Sequence, residues 1–377
     1  MSEQTITFKK DEVIVLLGAG ASVDAGIPHS GAMVERIERA LTEEWVEFKD
    51  LYNYVRSAIF YSDGIQGRFD KQVPYNIERL VVTLDELSRR EEHTIYPFIG
   101  AWNPRLTQVA GDRFEKVSKF KHSILTKLRH DWLEIADYGR ADYFKGLINF
   151  QKELNYPLRV FTLNYDLCVE KAYQCEYNEF PERGFDKSRR WKHELLEDTA
   201  TAQKNLYLYK LHGSIDWTRE PETDALIYSD STSKIRPEDG WMIFGTTYKL
   251  QYVDPFLFLV YQLRRLSFDA KLLIVIGYGF GDEHINGILA QALRGTVNKR
   301  LIAVTLLDTP PDIQLAAQKN FREYVCKQLN LEDNDQRLIM EYSRAKDYFV
   351  AGLTLAQIGT HFPPEEPIFE DVTTRSE

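Results

Sequence analysis

The sequence predicts an α/β fold, a Rossmann-like doubly wound parallel sheet with a large helical insertion. Three observations predict it. Short, wholly apolar runs recur along the chain, as in strands buried on both faces. Segments with helical periodicity alternate with those runs. Two of the runs end in glycine-rich turns, at the strand ends where open parallel sheets form their ligand crevice. With 377 residues, of which 44% are hydrophobic and 28% charged, the chain can bury a substantial core without staples. Length alone gives roughly two domain-sized units. The reading is a domain over 1–362, with a core of about 11–45 and 156–345 and an insertion of about 46–155, followed by a tail over 363–377.

Val13–Leu17 (VIVLL) is the first buried strand. After a glycine turn, helical periodicity runs from Ala21 to Val46. Apolar residues Ile77, Leu80, Val81, Leu84 and Leu87 share one face of a helix opening near Asn76. Phe114–Trp132 and Tyr143–Leu154 also read as helix, which makes the insertion helical. Strands return at Leu158–Leu163, Leu206–Leu211, Leu272–Ile276 and Leu301–Leu307. Between them lie helices over Tyr165–Tyr173, Pro255–Leu266 and Glu283–Leu293. Residues 183–205 and 220–240 read as loops or small subdomain elements, and 338–361 as helical in part. The acidic, proline-rich tail from Pro363 reads as extended or disordered.

Composition excludes several classes. Lys plus Arg number 47 and Asp plus Glu 57, a net charge of −10, which speaks against direct nucleic-acid binding except through a partner. Cys168, Cys175 and Cys326 form no C-x-x-C pair, so neither that type of zinc site nor a disulfide framework is expected. The first residues lack an apolar signal region, and no run reaches the roughly 18 apolar residues of a membrane span. A soluble protein of the reducing cytoplasm, with no membrane association, is the expectation. An aromatic content of 13% points to a large core, extensive interfaces, or both.

Four motifs carry chemistry. The first is Gly18-Ala19-Gly20-Ala21-Ser22, continuing to Gly26-Ile27-Pro28, directly after the first strand. Glycines let the backbone turn tightly and approach a pyrophosphate, and a helix start offers free N–H groups to it. Val23 stands where the dinucleotide fingerprint G-x-G-x-x-G needs its third glycine, so the plain alternative is a ligand-free turn. The second motif, Thr162-Leu163-Asn164-Tyr165-Asp166, ends a strand. Asn164 can donate to and accept from ribose hydroxyls or a carboxamide. Asp166 either faces positive charge developing on a sugar or caps the next helix. The third, Lys210-Leu211-His212-Gly213-Ser214, also ends a strand and offers His212 as a base near neutral pH or as a structural histidine. The fourth, Gly277-Tyr278-Gly279-Phe280-Gly281-Asp282-Glu283-His284, is a second glycine turn suited to the other end of a dinucleotide. Asp282 reads as the helix N-cap and His284 as a surface residue. Tyr278 and Phe280 read either as core, the favoured reading for each taken singly, or as aromatics packed against a base.

In this order the four motifs resemble the sirtuin-like superfamily, and in particular the zinc-free bacterial sirtuin-like NADases of anti-phage defence. The resemblance implies a Rossmann-like NAD-binding catalytic core, with NAD as substrate and no metal. It implies that Asn164 contacts the nicotinamide ribose and that His212 is the catalytic histidine, with Asp166 supporting local positive charge. Gly18, Ala19, Gly20, Ala21 and Ser22 would line the pyrophosphate and ribose side, with Gly26, Ile27, Pro28, Thr162, Gly277, Gly279 and Gly281 completing the site. Protein-deacylating sirtuins typically carry paired C-x-x-C motifs and Asp-Phe-Arg after GIP. This chain has neither: Gly26-Ile27-Pro28 runs into His29-Ser30-Gly31. The implied activity is hydrolysis of NAD to nicotinamide and ADP-ribose, in an NAD-depleting effector of abortive infection. Such toxicity calls for gating, by homo-oligomerisation or by a partner such as a HerA-type ATPase. Tyr61–Arg68, a polar stretch, reads either as a mobile lid or as an ordinary surface loop.

Overall fold

The computed structural model describes residues 6–67, 75–92, 104–197, 204–220, 222–236, 239–243, 254–295 and 298–362. The acidic tail and Arg68 lie outside the described residues. The strands in chain order are β1 (Val13–Leu17), β2 (Leu158–Thr162), β3 (Leu206–Lys210), β4 (Gly213–Arg219), β5 (Leu226–Tyr228), β6 (Gly240–Met242), β7 (Leu272–Ile276), β8 (Arg300–Thr305) and β9 (Leu338–Tyr342). Six of them form one parallel sheet in the order β3-β2-β1-β7-β8-β9. The chain winds outward from β1 in both directions, so the fold is doubly wound with its switch point between β1 and β7.

Side-chain alternation explains why the strands are apolar throughout. Val13, Val15 and Leu17 enter one core, while Ile14 and Leu16 enter the other on the opposite face. The first core is covered by helices between β1 and β2: α1 (Ser30–Ala40), α2 (Lys49–Ile65), α3 (Ile77–Ser88), α4 (Pro104–Ala110), α5 (Glu115–Lys127) and α6 (Lys145–Leu154), joined by α7 (Cys168–Tyr177). The second is covered by the single turn α8 (Glu194–Glu197) and by α9 (Phe256–Asp269), α10 (Glu283–Arg294) and α11 (Gln314–Leu329). Two short helices, α12 (Ala345–Asp347) and α13 (Leu355–Gly359), close the described chain. No helix among the described residues is long and apolar enough to cross a membrane.

The structure corrects several expectations. Residues 21–46 are not one helix. A 3-10 turn, Ala19–Ala25, ends at Gly26 (φ 105°), and α1 starts only at Ser30, where the His29 imidazole accepts from Ala32 N at 3.2 Å. Gly26 supplies the left-handed cap, and Pro28 keeps Ile27 out of the helical region. The stretch 338–361 is helical in part, as expected, through α12, a turn at Tyr348–Gly352 and α13, but it opens with an edge strand, β9, where the short apolar run LIMEY did not distinguish strand from helix. The helix expected from Tyr165 starts at Cys168, leaving Leu163–Leu167 as a loop over the sheet. The strand expected to reach Leu307 ends at Thr305. Tyr61–Ile65 is not loop but the last turn of α2, anchored where the buried Asp63 receives both Arg79 terminal nitrogens at 2.7 and 2.8 Å. Residues 213–242 build a small antiparallel sheet, β5-β4-β6, beside the main one.

Candidate active site

Register places the site. Leu17 pairs with Thr162 and with Ile276, and Thr162 pairs with Lys210, so β1, β2, β3 and β7 end at one level. The loops after these strands therefore emerge together beside the switch point. They border a cavity of about 1180 Å³, enough for a dinucleotide-sized ligand. Its other wall comes from the helices between β1 and β2, through Ser62 of α2 and Glu78, Arg79, Val82 and Thr83 of α3. Tyr324, Lys327 and Gln328 of α11 complete it.

The two glycine turns lie against each other. Gly18 N donates to Ile276 O at 2.9 Å and Gly20 N to Gly277 O at 2.8 Å. A Cβ on Gly18 would stand 2.5 Å from Tyr278 Cα, and one on Gly20 would stand 2.9 Å from Gly277 Cα. Gly277 itself has φ 67°, and a Cβ there would meet Ala21 N at 2.1 Å. Only glycine permits this approach. Of the first turn, Ala19, Ile27 and Pro28 reach the cavity. Gly18, Gly20, Ala21, Ser22, Gly26 and Thr162 do not line it: the second turn's backbone crowds Gly18 and Gly20, the Arg140 guanidinium crowds Gly26, and Ala21, Ser22 and Thr162 are buried. Gly277, Gly279 and Gly281 do line it, and the last two have no atom within 4 Å of an added Cβ.

Asn164 is held from three sides. Its Nδ2 donates to Gly18 O and to Ser22 Oγ, both at 3.0 Å, and its backbone N donates to Thr162 Oγ1 at 3.0 Å. Both amide hydrogens are engaged, so the amide oxygen is the group it has left for a ligand. Ser22 and Thr162 thus bear on the cavity through Asn164.

His212 is 6% exposed and lines the same cavity. Its Nε2 lies 3.3 Å from Asp282 Oδ2. Its carbonyl accepts from Ile243 N at 2.9 Å, and Gly213 follows at φ 86° with its Cα packed on Trp241 O. The Tyr165 hydroxyl donates to Ile243 O at 2.5 Å, tying the loop after β2 to the residue that follows β6. Burial pushes the Tyr165 phenol well above its ordinary pKa, so it stays a neutral donor.

Asp166 does not cap the next helix itself: Leu167 is the N-cap residue of α7, and Asp166 Oδ1 accepts from Cys168 N at 3.0 Å in an Asx turn just before it. It also lines the cavity and is buried. Burial and the neighbouring Asp166 push the Cys168 thiol well up. Beneath lies a buried charge cluster. Lys210 donates to Asp166 O and, at 2.9 Å, to Glu170 Oε1, while Arg183 donates to Asp216 Oδ2 at 2.8 Å. Burial works against ionisation of Asp216, yet Arg183 and Lys210 outweigh it and hold its carboxyl below the ordinary range. His284 is exposed, and Tyr278 and Phe280 are buried in the second core.

Sequence reasoning placed Asn164, Asp166 and His212 together and missed the α2–α3–α11 wall, the pairing of Asp282 with His212 and the charge cluster. Only Lys210, an apolar strand's charged last residue, signalled the cluster in advance. Among the described residues no group of three or more His, Cys, Asp or Glu could hold a metal ion.

No curated protein sequence matches the chain. Solved structures with a similar trace include a Sir2-homologue mutant with 2′-O-acetyl-ADP-ribose, at 16% identity over 94% of each chain and a TM-score of 0.40. A Sir2 homologue with NAD follows, at 16% identity over 93% of this chain and 90% of that one, with a TM-score of 0.39. A Sir2-homologue mutant with ADP-ribose shares 14% identity over 97% of this chain and 100% of that one, with a TM-score of 0.42. A family model described as a SIR2-like domain matches residues 158–332. That stretch contains both Asn164 and His212.

Proposed function

We propose that this protein is an NAD glycohydrolase that cleaves NAD to nicotinamide and ADP-ribose and acts as an NAD-depleting effector in bacterial anti-phage defence. The observation that carries the reading is the meeting of Asn164 and His212 on one dinucleotide-sized cavity at the sheet's switch point. A module that only bound nucleotide would need neither a buried imidazole nor a strand-end amide locked by two hydrogen bonds.

The chemistry follows from the groups present. The nicotinamide–ribose bond breaks with its electron pair going to the ring nitrogen, which turns a cationic substituent into neutral nicotinamide. No general acid is needed. The ribose gains oxocarbenium character, the same demand met in glycoside hydrolysis. The Asn164 oxygen holds a ribose hydroxyl or the attacking water, and the Asp166 carboxylate stands against the positive charge. Water adds to the anomeric carbon and gives its proton to His212, a contribution of about 10²–10⁴-fold for a positioned base. The large remaining wall excludes bulk water and orients the substrate. Toxicity calls for a gate, and oligomerisation or an ATPase partner of HerA type supplies it in this reading.

The test is NAD loss followed by chromatography, with nicotinamide and ADP-ribose quantified, for the protein alone, over a concentration series, and with a HerA-type ATPase. Turnover that disappears in Asn164→Ala and His212→Ala supports the reading. Turnover surviving both substitutions sinks the site. Unchanged NAD under every condition leaves an NAD- or ADP-ribose-binding regulatory module, and nicotinamide release that requires acetyl-lysine peptide makes it a deacylase.

A further inference from the structure

We propose that Asp282 is the positioning residue for His212: its carboxylate takes the Nε2–H and leaves Nδ1 as the proton acceptor toward the cavity. The inference rests on the hydrolase reading for its kinetic consequence, but the pairing is a statement about geometry.

Asp282 does more than a cap requires. Its Oδ1 accepts from His284 N at 3.0 Å and from Ile285 N at 3.3 Å, which satisfies the start of α10. Ser or Asn would cap that helix as well. The second oxygen, Oδ2, is 3.3 Å from His212 Nε2, with the two side chains 4% and 7% exposed. The separation is slightly beyond the usual N–H···O range of about 2.7–3.2 Å. Such looseness is common in catalytic pairs before substrate closes on them.

The turn that presents Asp282 is over-determined. The Tyr278 hydroxyl accepts from Asp282 N at 3.0 Å and donates to Asn286 Oδ1 at 2.9 Å. Phe280 sits at φ 53°, a costly conformation for a bulky residue. Its carbonyl accepts from Asn286 Nδ2 at 2.8 Å and from the Tyr324 hydroxyl at 2.9 Å, and its ring is buried beside Tyr278. The strain is held in place by these contacts, and what it aims is the Asp282 carboxylate.

The tautomer follows from the inventory of donors. A carboxylate accepts only, and neutral imidazole has one donor and one acceptor. Facing Oδ2, Nε2 must carry the hydrogen, so Nδ1 carries the lone pair. The same logic fixes the imidazole of a Ser-His-Asp triad.

The test combines nitrogen NMR of the His212 ring with steady-state NAD kinetics. Wild type is expected as the Nε2–H tautomer. In Asp282→Asn the amide oxygen keeps the cap while its NH₂ donates to Nε2, which moves the hydrogen to Nδ1. The expected result is a kcat reduced by about 10²–10⁴-fold with KM within about threefold. Asp282→Ser keeps the cap and removes the second oxygen, so both tautomers appear even if the Asn variant folds poorly. His284→Ala, an exposed change in the same helical turn, is expected to match wild type. A wild-type ring in mixed or Nδ1–H form overturns the proposal, as does an Asn variant with unchanged kcat. A wild type that holds Nε2–H but turns over no NAD alone, over the concentration series or with the ATPase sinks the hydrolase reading and leaves the pairing standing.

Discussion

The turn after β1 and the turn after β7 look interchangeable in sequence, each a strand running into alternating glycines, but they have different work. In the first, Gly18 and Gly20 make room for the backbone of the second turn, and the ligand-facing surface passes to Ala19 and Pro28. In the second, Gly277 completes that packing, while Gly279 and Gly281 leave open space at the cavity wall. A glycine count therefore says little about where a phosphate would lie. What matters is which face of each glycine another backbone already occupies.

The largest expected effect breaks the packing at its tightest point. Gly277→Ala combines φ 67° with a backbone nitrogen 2.1 Å from the new Cβ. A loss of about 4 kcal/mol or more, read from the denaturant midpoint, is expected. Gly18→Ala meets Tyr278 Cα at 2.5 Å from the other side and is expected to lose about 3 kcal/mol. If both variants unfold at the wild-type midpoint, the turns do not rest on each other. Ser22→Ala sharpens the role of the first turn. It removes the hydroxyl that accepts from Asn164 Nδ2. The expectation is a cost of about 1 kcal/mol and a kcat for NAD that falls with little change in KM. The smallest stability effect belongs to Gly279→Ala and Gly281→Ala, within about 0.5 kcal/mol. Their methyls enter the cavity, so KM for NAD is expected to rise while the thermal midpoint holds. An unchanged KM in both would take the second turn out of the ligand's path.

The strands were legible because each is specified locally. VIVLL and LLIVI are buried on both faces, and their bounds in the structure are those of the apolar runs. The cap at Asp282 was legible for the same reason, since a cap involves only its own helix: its Oδ1 accepts from His284 N at 3.0 Å. β9 was less so, because an edge strand is buried on one side only and its residues are mostly half-exposed. The break at Gly26 and Pro28 was present in the residues but was masked by the helical spacing around it.

The candidate site divides along the same line. Asn164, Asp166 and His212 were found as polar residues at apolar strand ends, a signal that needs no knowledge of neighbours. The partners that hold them are remote in sequence. Gly18, which accepts from Asn164, is 146 residues away, and Asp282, which faces His212, lies in the turn after a different strand, β7. Nothing local in α3 marks Glu78 or Arg79 as cavity wall, since on its own helix each is an ordinary polar residue.

By itself the sequence determined the parallel α/β class, the run of strands and helices, and which polar residues stand at the carboxyl ends of strands. Burial on both sheet faces and the geometry of caps are written into neighbouring side chains. Only the tertiary structure decided that Gly18 and Gly20 pack against Gly277 and that α2, α3 and α11 wall the cavity. It also decided that the second oxygen of a helix cap reaches His212. Each of these depends on strand register and sheet order, which bring distant segments to one edge and which no local pattern encodes.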